Sequence, residues 1–148
     1  MRYFLDTEFN GFGGPLIAIA LVPDEAGRPP FYQAIACDDP TPWVADHVLP
    51  VMGVAPVSRA QARDAFARYL GDDPEPLLVA DWPEDIAHAA TLLVTGPGRM
   101  KPVRSLRFEL VDPVIMGTEV PSATPHNALS DATALRATVL GHEARMAP

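Results

Sequence analysis

Apolar positions fall in blocks whose spacing predicts the elements. Residues 2–8 read as a strand: the apolar Tyr3, Phe4 and Leu5 lead into Asp6 and Glu8 on either side of Thr7. Residues 16–22 (LIAIALV) are continuously apolar and branched, as in a central strand covered on both faces. A turn over 23–30 (PDEAGRPP) leads to a third strand, 31–36 (FYQAIA). The short loops predict an antiparallel meander.

Helical spacing then takes over. A short helix is expected from near Pro42 within residues 38–52. Residues 58–71 (SRAQARDAFARYLG) read as a helix with Ser58 as N-cap, Gln61 at the capping-box position and Gly71 as the stop. Its apolar stripe is Ala62, Phe66, Tyr69 and Leu70. Residues 76–81 (PLLVAD) predict a fourth strand, reached through a helix and therefore parallel to the first. Pro83 suits the first position of a further helix, with Glu84 and Asp85 beside its dipole; that helix is expected to run to Thr95 and stop at Gly96. A fifth strand falls within 106–114, and a loop followed by a long helix within 125–146. The order implies an α/β fold: one domain over residues 1–148, with a mixed sheet of five to six strands flanked by helices and the first strand central beside the fourth.

Composition narrows the classes. Hydrophobic residues make up 48%, enough for a packed core despite 17 prolines and 10 glycines. No basic region precedes a long apolar run at the N-terminus, and the longest apolar run, 15–23, is too short to cross a bilayer; no signal peptide and no membrane partner are expected, and a cytoplasmic location is the default. The single Cys37 rules out a disulfide framework and a cysteine zinc site. A net charge of −8 speaks against a protein that coats nucleic acid electrostatically, but not against an enzyme whose bound cations meet a phosphate.

The candidate chemistry is acidic. Asp6 and Glu8 are two apart on a strand and share a face. Asp81 stands where the fourth strand ends; Asp131 opens the last helix, five residues after His126. Each feature alone fits a solvated strand end or helix start. Together, on neighbouring elements, four carboxylates need cations, and oxygen-only ligands favour Mg²⁺ or Mn²⁺. Two such ions are the usual clamp for displacement at phosphorus, with His126 placed to act as general base.

"DTE", an Asp at a strand end and "HNALSD" together resemble the DEDDh 3′–5′ exonucleases, over residues 3 to about 140, and "MRYFLDTEFNG", "VADWPED" and "PHNALSDA" look most like a small stand-alone exoribonuclease subgroup. The resemblance implies an RNase H-like fold, two divalent ions held by Asp6, Glu8, Asp81 and Asp131, and His126 as base. The implied substrate is single-stranded RNA or a 3′ overhang, shortened by release of nucleoside monophosphates. Alternatives are preference for single-stranded DNA, or a catalytically silent module that binds RNA or protein. An aspartic protease would need Gly where Glu8 stands.

Three further features have more than one reading each. The stretch 10–14 (NGFGG) is a hairpin turn, or with Phe9, Asn10 and Gly11 a close approach to the terminal nucleotide. Trp82 packs at the start of its helix or stacks on a base. Arg99, Lys101, Arg104 and Arg107 form a solvated loop, a phosphate track or a homodimer contact.

Overall fold

The computed structural model describes residues 1–112 and 114–148. Its main sheet has five strands: β1 (Arg2–Phe9), β2 (Leu16–Pro23), β3 (Phe31–Ala34), β4 (Leu77–Ala80) and, after a small hairpin β5 (Val94–Gly96) and β6 (Arg99–Met100), β7 (Arg107–Leu110). The spatial order is β3-β2-β1-β4-β7. β1, β2 and β3 form the expected antiparallel meander, and β4 runs parallel to both β1 and β7. The four helices are α1 (Pro42–His47), α2 (Arg59–Gly71), α3 (Pro83–Leu92) and α4 (Ala128–Met146).

Alternation along β1 divides the core into two layers. Tyr3 and Leu5 pack with Ala62, Phe66 and Leu70 of α2 and Ala89 and Leu92 of α3. Phe4 faces the other way, onto Leu135 and Val139 of α4. β2 is apolar on both faces because α4 covers one of them, packing Ala128 and Ala132 against Ile17, Ala18 and Ala20. The α2 capping box forms as its sequence predicts: Ser58 Oγ accepts the Gln61 N–H (3.2 Å), and Gln61 Oε1 accepts the Ser58 N–H (3.0 Å). Tyr69 is only partly buried, since its hydroxyl reaches out to the Pro29 carbonyl (2.8 Å).

One local reading changes. α3 ends at Leu92 rather than Thr95, because Val94–Gly96 turns back through Gly98 (φ +65°) to pair with Arg99–Met100. A β-branched run beside a glycine that favours left-handed backbone suits that hairpin better than a last helical turn. The fifth strand occupies Arg107–Leu110 of its expected stretch, and Pro113 lies outside the described residues. Among the described residues, no helix is long and apolar enough to cross a membrane.

Candidate metal centre at the sheet end

Asp6 and Glu8 share the face of β1 that Phe4 turns toward α4. The parallel register pairs Phe4 with Val79, and two residues further on it sets Asp6 level with Asp81. α4 starts at this end of the sheet. Its N-cap Asn127 accepts the Ser130 N–H (3.0 Å) and donates to the Val51 carbonyl (2.7 Å), which anchors the first turn. Asp131, one turn in, faces the strand pair. Its Oδ2 accepts the His126 N–H at 3.0 Å, with His126 held at φ +66°. Histidine and carboxylate are thus linked through the backbone, and the imidazole lies edge-on to Trp43, ring centres 4.9 Å apart.

The four carboxylates and the histidine expected from the sequence therefore converge. A fifth carboxylate, Asp85, joins them. It stands at the third position of α3 but does not act as a cap: its Oδ1 crosses to β1 and accepts both the Thr7 hydroxyl (2.6 Å) and the Thr7 N–H (3.2 Å). Asp85 is only 2% exposed. Beside a helix start, Asp is commonplace. The available signal was its spacing, since Asp85 repeats with Ala89 and Leu92 along the buried stripe of α3. A charge on an apolar stripe needs a partner.

Carboxylate oxygens of Asp6, Asp81 and Asp85 lie within 4.8 Å of one another, as do those of Asp6, Glu8 and Asp131. Asp6 belongs to both groups. Each group could hold a metal ion, and the donors are all hard oxygens, the set that suits Mg²⁺ or Mn²⁺. No ion pair among the described residues involves any of the five. Protons take the place of a counter-charge. Burial, then the charges of Asp85, Glu8, Asp131 and Asp81, pushes the Asp6 carboxyl well above the usual range. Burial and the neighbouring Asp131 raise Glu8 to about 8. Burial raises Asp85 to about 7, against the opposing pull of the Thr7 hydrogen bond. Burial also raises Asp81, with Glu119 and Asp131 adding to it. Carboxyls raised in this way for want of positive charge hold protons that a cation would displace.

Two open cavities meet at these carboxylates. One, of about 650 Å³, is bounded by Asp6, Asp81, Asp131, His126 and Glu119. The other, of about 450 Å³, adds Phe9, Gly11, Phe12, Trp43 and Trp82. Phe9, Gly11 and Trp82 therefore line the site, and Trp82 is half exposed with its indole N–H on Glu84 (3.1 Å). Asn10 does not. Its carboxamide donates to the Asp39 carbonyl (2.8 Å) and accepts the Thr41 N–H (2.8 Å), tying the β1–β2 turn to the start of α1. The basic cluster is also elsewhere. Arg107 pairs with Leu77 at the start of β4, away from Asp81, and Lys101 pairs with Asp64 of α2 (3.1 Å). Arg107 and Lys101 thus stand away from the carboxylates, and neither lines the cavities there.

No protein-family model matches the chain, and no curated protein matches it.

Proposed function

We propose that this chain is a metal-dependent 3′–5′ exonuclease with an RNase H-like fold, acting on single-stranded RNA or a 3′ overhang. The observation that carries the reading is the pair of three-carboxylate groups sharing Asp6 at the floor of an open cavity with His126 on its wall. A protein that only bound RNA would have no use for buried carboxyls held against their ionisation. The Asp6–Glu8 pair and the His126–Asp131 spacing resemble those of the DEDDh enzymes, and Asp85 would add a further ligand beside Asp81.

Asp6, Glu8, Asp81, Asp85 and Asp131 would hold two divalent ions, Mg²⁺ or Mn²⁺. When bound, such ions neutralise the phosphodiester, lower the pKa of water and stabilise the leaving oxygen. The protein's own part is positional. Thr7 holds Asp85 still through two hydrogen bonds, and the His126–Asp131 backbone link holds His126 on the cavity wall it shares with Asp6, Asp81 and Asp131. His126 takes the proton of the attacking water and passes it to solvent. Trp82, Phe9 and Phe12 offer apolar faces where terminal bases stack.

The test is digestion of matched 5′-labelled RNA and DNA oligomers with Mg²⁺ or Mn²⁺, resolved on a gel. Stepwise shortening from the 3′ end, blocked by a 3′ phosphate, supports the proposal. Mid-chain fragments from a circular substrate would refute the exonuclease, and binding without cleavage in either metal would favour the silent module. The ratio of RNA to DNA rates decides the sugar preference.

A further inference from the structure

β7 is an edge strand, and among the described residues no strand pairs with its outer side. On the inner side, Arg107 N–H donates to the Pro76 carbonyl (3.0 Å) and Val111 N–H to the Ala80 carbonyl (2.8 Å). In a parallel ladder this phase commits residues 107, 109 and 111 to β4 and turns the N–H and C=O of Phe108 and Leu110 outward. An open edge of this kind is a template for another strand.

The segment on that edge is Leu106-Arg107-Phe108-Glu109-Leu110. Read backwards it gives the same pattern with the charges exchanged. A second copy laid antiparallel across a two-fold axis must place outward-bonding residues opposite one another, which leaves only alternate registers. One register sets Arg107 against Arg107, and another sets Glu109 against Glu109; like charges directly opposite are unfavourable. The register centred on Phe108 sets Arg107 against Glu109 twice and Leu106 against Leu110 twice. Those charged positions fall on the non-hydrogen-bonded sites, where opposing side chains come closest. Among the described residues neither Arg107 nor Glu109 has an ion pair, and Leu110 is 48% exposed.

We propose that two copies of this chain pair antiparallel through β7, centred on Phe108, and join their sheets into one. The charges that keep an edge from indiscriminate pairing here select a single partner strand in a single register. The pairing leaves the carboxylate centre open, because Arg107–Leu110 lines neither site cavity.

Sedimentation equilibrium over a range of protein concentrations tests this with charge exchanges. The parent should dimerise. Arg107→Glu and Glu109→Arg should each weaken the dimer roughly tenfold or more, since two attractive pairs become repulsive. The double variant should recover it. Mixing the two single variants should give a heterodimer that neither forms alone. Circular dichroism should be unchanged throughout, as both side chains are exposed. A parent that stays monomeric at every concentration overturns the proposal. So does a dimer that the single exchanges leave intact, which would place the contact on another surface.

Discussion

Asp6 sits in both three-carboxylate groups, so it bears the most mutual repulsion and has the most to give to cations. Asp6→Asn should lose hydrolysis, and thermal melts in chelator should show equal or higher stability than the parent. A fully active variant would remove Asp6 from the site. Asp85→Asn is the sharper case. It keeps an oxygen for Thr7 but removes a charge, so Mn²⁺ binding by calorimetry should weaken at least as much as for Asp81→Asn. His126→Ala should separate turnover from binding: single-turnover cleavage falls by ~10²–10⁴-fold while the ions still bind. If the ions are lost as well, the imidazole is a ligand rather than the base.

Elements set where these residues can stand. The β1–β2 turn is narrow: a Cβ on Gly14 would lie 2.1 Å from the Asn10 carbonyl oxygen, and Gly13 N–H already reaches Glu84 (3.1 Å). The turn thus closes onto the start of α3 beside Trp82. Gly14→Ala should unfold the protein at lower temperature and disturb the site with it. Ser58→Ala, by contrast, removes only the α2 cap, far from the carboxylates. It should cost about 1 kcal/mol in denaturant melts without changing the cleavage rate. The secondary structure was legible because such signals are local: Ser58 with Gln61, Pro83 at a helix start, glycines at turns. The β5–β6 hairpin was not. Residues 94–100 pair only with each other and have no apolar repeat to mark them. Asn10 read as a candidate for substrate because its use, bridging Asp39 and Thr41, depends on residues about 30 positions away.

At the scale of the whole molecule the acidic centre makes stability depend on pH. Glu8, at about 8, and Asp85, at about 7, both titrate far above their unfolded values, and Asp6 and Asp81 are raised as well. Between the unfolded and folded values the folded chain binds more protons than the unfolded one. Stability of the metal-free protein should therefore fall as pH rises from about 4, the unfolded carboxyl range, to 8. Melting temperatures in chelator across that range should drop by several degrees. Saturating Mn²⁺ should flatten or reverse the trend, because cations bind the ionised form. An unchanged slope with Mn²⁺ would mean that the carboxyls do not gather around an ion.

The sequence by itself determined the order of the main-sheet strands and of the helices, the central place of β1 and the carboxylates at its end, because hydrophobic period, caps and crossover length are read over short stretches of chain. The His126–Asp131 spacing came forward only beside the other acidic motifs and the family resemblance they carry. Only the tertiary structure decided that α3 starts close enough to β1 for Asp85 to reach Thr7, and that Arg107 and Lys101 stand away from the carboxylates. It also decided which groups of β7 face outward. Each of these depends on distances between elements far apart in the chain, which packing sets and no local pattern encodes.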